Sequence, residues 1–109
     1  MFVVDNFYND PDTIRDFALT QVEYKEDLRW YKGLRSVRPY RPKGLKEAFE
    51  FIMGERIVDF EQGYNGVFQI CIAEDPQVYH YDMQKWAAMI YMTPDAPLES
   101  GTRLHRSKI

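Results

Sequence analysis

RIVDFEQGYNGVFQICIA, residues 56–73, decides the fold expected of this chain. Val58 and Phe60 alternate with Asp59 and Glu61, a period of two that places apolar groups on one face of an extended strand and carboxylates on the other. Gly63-Tyr64-Asn65-Gly66 then supplies residues that tolerate a positive φ, as a hairpin-like turn requires. From Val67 to Ala73, Phe68, Ile70 and Ile72 alternate with Gln69 and Cys71. The reading is two antiparallel strands, Arg56 to Gln62 and Val67 to Ala73, joined by a tight turn. As a pair, Asp59 and Glu61 have the chemistry for general acid–base work, but on an amphipathic strand they read as a solvated face. Cys71 is the single cysteine. Within the apolar run VFQICIA it reads as a small buried residue rather than a nucleophile, and no disulfide framework exists.

Upstream, the periodicity changes. MFVV is β-prone, and Asp10-Pro11 is a helix start, an N-cap acid followed by proline. Ile14, Phe17, Ala18 and Val22 then recur at helical spacing. From Glu23 to Pro42 neither period persists, and Trp30, Tyr31, Gly33, Pro39 and Pro42 alternate with Arg35, Arg38 and Arg41. That segment reads as a long ordered loop, its aromatics anchoring it in the core rather than stacking on a planar substrate. A second helix is expected from Pro42 to Met53, since Leu45, Ala48, Phe49 and Ile52 form one stripe and Gly54 follows as a stop.

Downstream, Glu74-Asp75-Pro76-Gln77 breaks the second strand. Val78 to Asp82 reads as extended, Trp86 to Thr93 as a near-continuous apolar strand, Pro94 to Gly101 as a loop and Thr102 to Ile109 as a strand-like tail. Helices followed by consecutive strands predict an α+β fold, two helices packed on an antiparallel sheet, in one domain spanning residues 1–109.

The totals narrow the function. The chain has 109 residues, 14 Lys+Arg against 17 Asp+Glu and a formal net charge of -3, so no basic excess suits a nucleic-acid backbone. No apolar run approaches the ~20 residues needed to span a bilayer, and the N-terminus has no secretory leader pattern. Neither nucleic acid nor membrane is an expected partner, and a soluble, reducing, cytoplasmic setting is expected. Phosphate loops, zinc-type Cys/His spacing and nucleophile-elbow serines do not occur in the sequence.

What remains is His80-Tyr81-Asp82. On a strand, side chains two positions apart share a face, so the imidazole of His80 and the carboxylate of Asp82 can converge on one ion. Imidazole plus carboxylate, completed by a second imidazole, is the donor set of non-haem Fe(II) oxygenases. The alternative is a polar strand edge. Gln69 and Tyr91 are candidates to face a cosubstrate, with core packing as the other reading of each.

His80-x-Asp82, followed by Trp86-Ala-Ala-Met-Ile-Tyr91, Thr93-Pro-Asp-Ala-Pro97 and Ser100-Gly-Thr102, resembles the central segment of Fe(II)- and 2-oxoglutarate-dependent dioxygenases of the prolyl-hydroxylase-like branch. Val3-Val-Asp-Asn-Phe-Tyr8, Asp10-Pro11, Arg15, Ala18 and Tyr31-x-Gly33-Leu-Arg35 are similar to the leader of an uncharacterised group in that superfamily. The resemblance covers the whole chain and is most specific from His80 to Thr102. It implies a double-stranded β-helix (jelly-roll-like) fold, His80 and Asp82 as metal ligands, Fe(II) and 2-oxoglutarate as cofactors, and hydroxylation of a substrate that the sequence does not identify.

The family also has a distal histidine and a basic residue for 2-oxoglutarate, both expected after the Gly-Thr turn. Of the two histidines, His105 is the spare one. It is either the third metal ligand or an exposed strand residue beside Arg103, Arg106 and Lys108, cations that can hold a carboxylate or simply be solvated. A closed jelly roll takes about eight strands, whereas Arg56 to Ile109 holds about five with their turns. The expectation is therefore the N-terminal portion of a longer oxygenase, an incomplete barrel inactive by itself. Unpaired strands such as WAAMIYM and VFQICIA would then template a symmetric homodimer through the exposed sheet. The competing expectation is a non-catalytic, oligomerising β-sheet fragment or binding module without metal.

Overall fold

Asp10 starts the first helix as its chemistry dictates. In the computed structural model, which describes residues 1–26, 33–75, 80 and 83–106, α1 spans Pro11–Thr20 and the Asp10 carboxylate accepts from the Thr13 amide at 3.3 Å and the Thr13 hydroxyl at 2.6 Å. One otherwise orphaned N–H of the first turn is satisfied in this way. Pro11, with no N–H to satisfy, costs nothing at the first helical position. α2 spans Leu45–Met53 and ends at Gly54, whose φ of 70° reverses the chain while its amide donates to Glu50 O at 2.9 Å. Both helices lie where the 3.6-residue pattern predicts them.

The sheet does not. β1 (Tyr24–Glu26) and β2 (Leu34–Ser36) fall inside the segment expected to be a loop, and β3 is only Gln69–Ile70. The order is β1-β2-β3, antiparallel throughout, with Tyr24 opposite Ser36, Leu34 opposite Ile70 and Arg35 opposite Gln69. Backbone pairing continues past the regular ladder: Ser36 N donates to Phe68 O at 2.9 Å, Val37 N to Glu23 O at 2.9 Å, and Tyr40 N to Gly66 O at 2.7 Å. Residues 34–40 thus occupy the place beside 66–70 that the sequence pattern assigns to 56–62.

Residues 56–62 are not a strand because their polar groups are used locally. Gln62 N donates to Asp59 O, Asn65 N to Gln62 O and Val67 N to Tyr64 O, while the Asn65 side-chain amide also donates to Asp59 O at 3.2 Å. Successive turns of this kind direct backbone groups to near neighbours in sequence rather than to a parallel or antiparallel partner. Asp59 and Glu61 are exposed. The strand from Val67 is cut short at its far end too, since Asp75 Oδ2 accepts from Ile72 N at 2.7 Å and Asp75 N donates back to Ile72 O at 3.1 Å. Cys71, expected to be buried, is exposed just past β3.

Two glycines make the pairing possible. Gly33 has φ +76°, and a Cβ there would sit 2.2 Å from Ile70 O; Gly66 has φ +87°, and a Cβ would sit 2.7 Å from Tyr40 O. Both positions combine a left-handed backbone with direct approach to a neighbouring carbonyl, which only glycine allows.

Packing is aromatic more than aliphatic. Phe17 of α1, Tyr40 and Phe68 form a triangle with centroids 5.3–6.3 Å apart, and Phe7 stacks on Phe49 of α2 at 5.2 Å. Tyr40 therefore anchors its segment as expected; Trp30 and Tyr31 lie outside the described residues. Tyr24 of β1 ties the sheet to α1 by donating from its hydroxyl to Ala18 O at 2.8 Å. Among the described residues, Ala18 and Leu45 are the buried apolar side chains. Among the described residues the chain is α+β, two helices with a three-stranded open antiparallel sheet. No helix of the described residues is long and apolar enough to cross a membrane.

The remaining predicted strands fare differently. Residues 1–4, 86–93 and 102–106 join no ladder. Of the extended segment Val78 to Asp82, only His80 is among the described residues.

Candidate functional site

The apolar run after His80 is held from outside by one carboxylate. Glu55, just past the stop of α2, accepts from Lys85 Nζ at 2.6 Å and from the Trp86 indole N–H at 3.1 Å. The Trp86 ring stacks on Phe2 with centroids 5.7 Å apart. The Lys85 hydrogen bond first, and the Trp86 hydrogen bond second, hold the Glu55 carboxyl below its ordinary range. Lys85 and Trp86 are thereby docked onto the flank of α2 and the N-terminal segment. A single acid after a glycine stop carries no pattern, and so Glu55 was illegible from sequence.

At the other end of the run, Tyr91 closes a loop. Its hydroxyl donates to Thr102 Oγ1 at 2.8 Å and accepts from Thr102 N at 3.2 Å. At Gly101, with φ +108°, an added Cβ would lie 3.8 Å from that hydroxyl. Residues 91–102 are therefore one closed unit, in which the end of the apolar run and the Ser-Gly-Thr turn meet.

The predicted donors are placed as follows. His80 and His105 are exposed, and Asp82, together with Tyr81, lies outside the described residues. Among the described residues no three His, Cys, Asp or Glu side chains gather as a metal-binding group. Gln69 is half-buried in β3, with its amide nitrogen 3.5 Å from Cys71 Sγ. Arg103 and Arg106 are exposed, and Lys108 is outside the described residues.

Two features lie elsewhere. Among the described residues Ser36 is the most buried polar side chain, 1% exposed; its hydroxyl donates to Arg38 O at 2.8 Å and accepts from Phe68 N at 2.9 Å. That bracket fixes the irregular end of the β2 pairing, and nothing in the spacing of a lone serine announces it. Beside it, an open furrow of about 410 Å³ runs over the aromatic triangle, walled by Phe17, Gln21, Val37, Arg38, Tyr40 and Phe68. None of Gln69, His80, Tyr91 and His105 borders it. Tyr8 has its phenol pKa raised by burial and then by the neighbouring Tyr40. The Arg35 guanidinium lies 4.5 Å from the centre of the Tyr64 ring, a cation–π contact across the turn.

Comparison with protein-family models, curated proteins and solved structures finds no match. The chemistry of the site is thus read from its own residues.

Proposed function

We propose that this chain is related to the Fe(II)- and 2-oxoglutarate-dependent oxygenases of the prolyl-hydroxylase-like kind, which hydroxylate a C–H bond of their substrate. The finer fold proposed is a partial double-stranded β-helix to which β1, β2 and β3 contribute. The order of motifs carries the reading: His80-x-Asp82, an apolar run ending in Tyr91, then Ser100-Gly101-Thr102. The hydrogen bonds between Tyr91 and Thr102 support it, because they join the end of that run to the turn.

The donor set fits the metal by type. His80, Asp82 and His105 would hold the ion, and two imidazoles with one carboxylate suit Fe(II) while leaving positions open. Bound there, the ion would supply sites for oxygen and for the 2-oxo acid. Gln69 and Tyr91 would contact the cosubstrate, and Arg103 or Arg106 would face its far carboxylate with a charge-assisted donor. Tyr91 already directs its one hydroxyl hydrogen to Thr102, so donating to a carboxylate requires Thr102 to give way.

Anaerobic titration of the purified chain with Fe(II) or Mn(II), with and without 2-oxoglutarate, tests the reading. Stoichiometric uptake is expected, lost in His80→Ala and in Asp82→Ala and retained in Gln84→Ala. A folded wild-type chain that takes up no metal under either condition sinks the proposal and leaves the non-catalytic module as the standing account.

A further inference from the structure

An independently folded monomer of 13.0 kDa exposes roughly 6,300 Å² by the usual mass scaling. This chain exposes 9913 Å², an excess of about 3,600 Å² over that scaling. Its radius of gyration, 14.7 Å, also exceeds the roughly 13 Å expected at this length. Residues 83–106 contribute apolar surface to it: Met83, Met89 and Tyr91 are exposed, and Leu98 and Leu104 are 101% and 86% exposed. A loose tail is a poor description of that segment. Glu55 holds one end and the Tyr91–Thr102 hydrogen bonds close the other, so these side chains are displayed on a fixed unit. Large apolar side chains exposed together on one anchored segment suit an interaction surface.

Its charges indicate what covers it. Asp95 and Glu99 precede the closure at Thr102, and Arg103 and Arg106 follow it. Among the described residues none of these four forms an ion pair. A stretch with acids at 95 and 99 and bases at 103 and 106 is complementary to itself when two copies lie antiparallel, the relation that a two-fold axis perpendicular to it imposes. A standard interface takes only about 800 Å² from each partner, well inside the excess.

We propose that residues 83–106 are covered by the same segment of a second copy of this chain, the acidic part of each facing the basic part of the other across a two-fold axis. The association joins loop segments rather than sheet edges, and it is independent of metal binding.

Sedimentation equilibrium of the full chain and of two charge-reversed variants tests it, with far-UV circular dichroism to establish folding. One variant carries Asp95→Lys and Glu99→Lys, the other Arg103→Glu and Arg106→Glu. The wild type is expected to be a dimer, and each variant alone to dimerise roughly tenfold more weakly or worse. An equimolar mixture is expected to regain the wild-type association as a heterodimer, since each acid then meets a base again. A merely structural role for these residues would not produce that rescue. Leu98→Asp should abolish the dimer, and Val58→Asp, at a side chain 95% exposed elsewhere, should leave it intact. A wild-type monomer, an open-ended aggregate, a dimer indifferent to Leu98→Asp, or a mixture of folded variants no tighter than its parts would each overturn the proposal.

Discussion

Residues 33–75 and residues 83–106 are about equally apolar to the eye, yet only the first region builds regular structure. In the first, the backbone of 34–40 is matched by that of 66–70, and Ser36 seals the junction. In the second, WAAMIYM joins no ladder among the described residues and is held by side chains, Lys85 and Trp86 on Glu55 and Tyr91 on Thr102. The difference teaches that apolar alternation states what a segment can bury, while a strand also needs a neighbour whose amides and carbonyls stand in register. The first region has one within the chain.

Breaking the well-paired region should have the largest effect. Gly33→Ala forces a side chain onto the Ile70 carbonyl at a positive φ, and a loss of about 3 kcal/mol in urea unfolding is expected. An unchanged midpoint would mean that β2 and β3 do not meet at that point. Ser36→Ala strips a partner from both Phe68 N and Arg38 O and should cost about 1–3 kcal/mol, with amide exchange quickening first at Phe68.

Smaller effects come from the surface. Asp10 has its carboxyl pKa lowered by the Thr13 hydroxyl first and the Thr13 amide second. A carboxyl with a depressed folded-state pKa stabilises the fold at pH values above its unfolded pKa, and that contribution is lost as pH falls through the folded value. Thermal stability should therefore drop on the acid side of the usual carboxylate range, and less steeply in Asp10→Asn; an identical pH profile for the two proteins would contradict the cap.

The region held by side chains offers the finest test. Glu55→Gln should shift the Trp86 indole resonance and speed amide exchange from 85 to 92 while leaving the urea midpoint nearly in place. A fall in the midpoint as large as that of Ser36→Ala would show that the two regions unfold as one. Smallest of all, Tyr91→Phe removes the loop closure and should be seen only as faster exchange at the Thr102 amide, with global stability within about 0.5 kcal/mol of wild type.

Read by itself, the sequence determined both helices, because Asp10-Pro11 and Gly54 act on their own neighbours and a stripe such as Leu45, Ala48, Phe49 and Ile52 is set by one local period. It also determined the α+β class and the order of motifs from His80 to Thr102. Which segments became strands was decided only by the tertiary structure. Residues 23–42 were expected to be a loop and supply two strands, Tyr24–Glu26 and Leu34–Ser36, while 56–62 were expected to be a strand and turn on themselves. Cys71 was expected inside and lies outside. In each case the outcome depends on competition for a partner: residues 34–40 claim the groups of 66–70, Gly33 and Gly66 permit the approach, and no period in one segment reveals what another will offer it. The anchors of the candidate site, Glu55 for Trp86 and Thr102 for Tyr91, are fixed in the same way, since a hydrogen bond across 31 or 11 positions is a property of the folded chain.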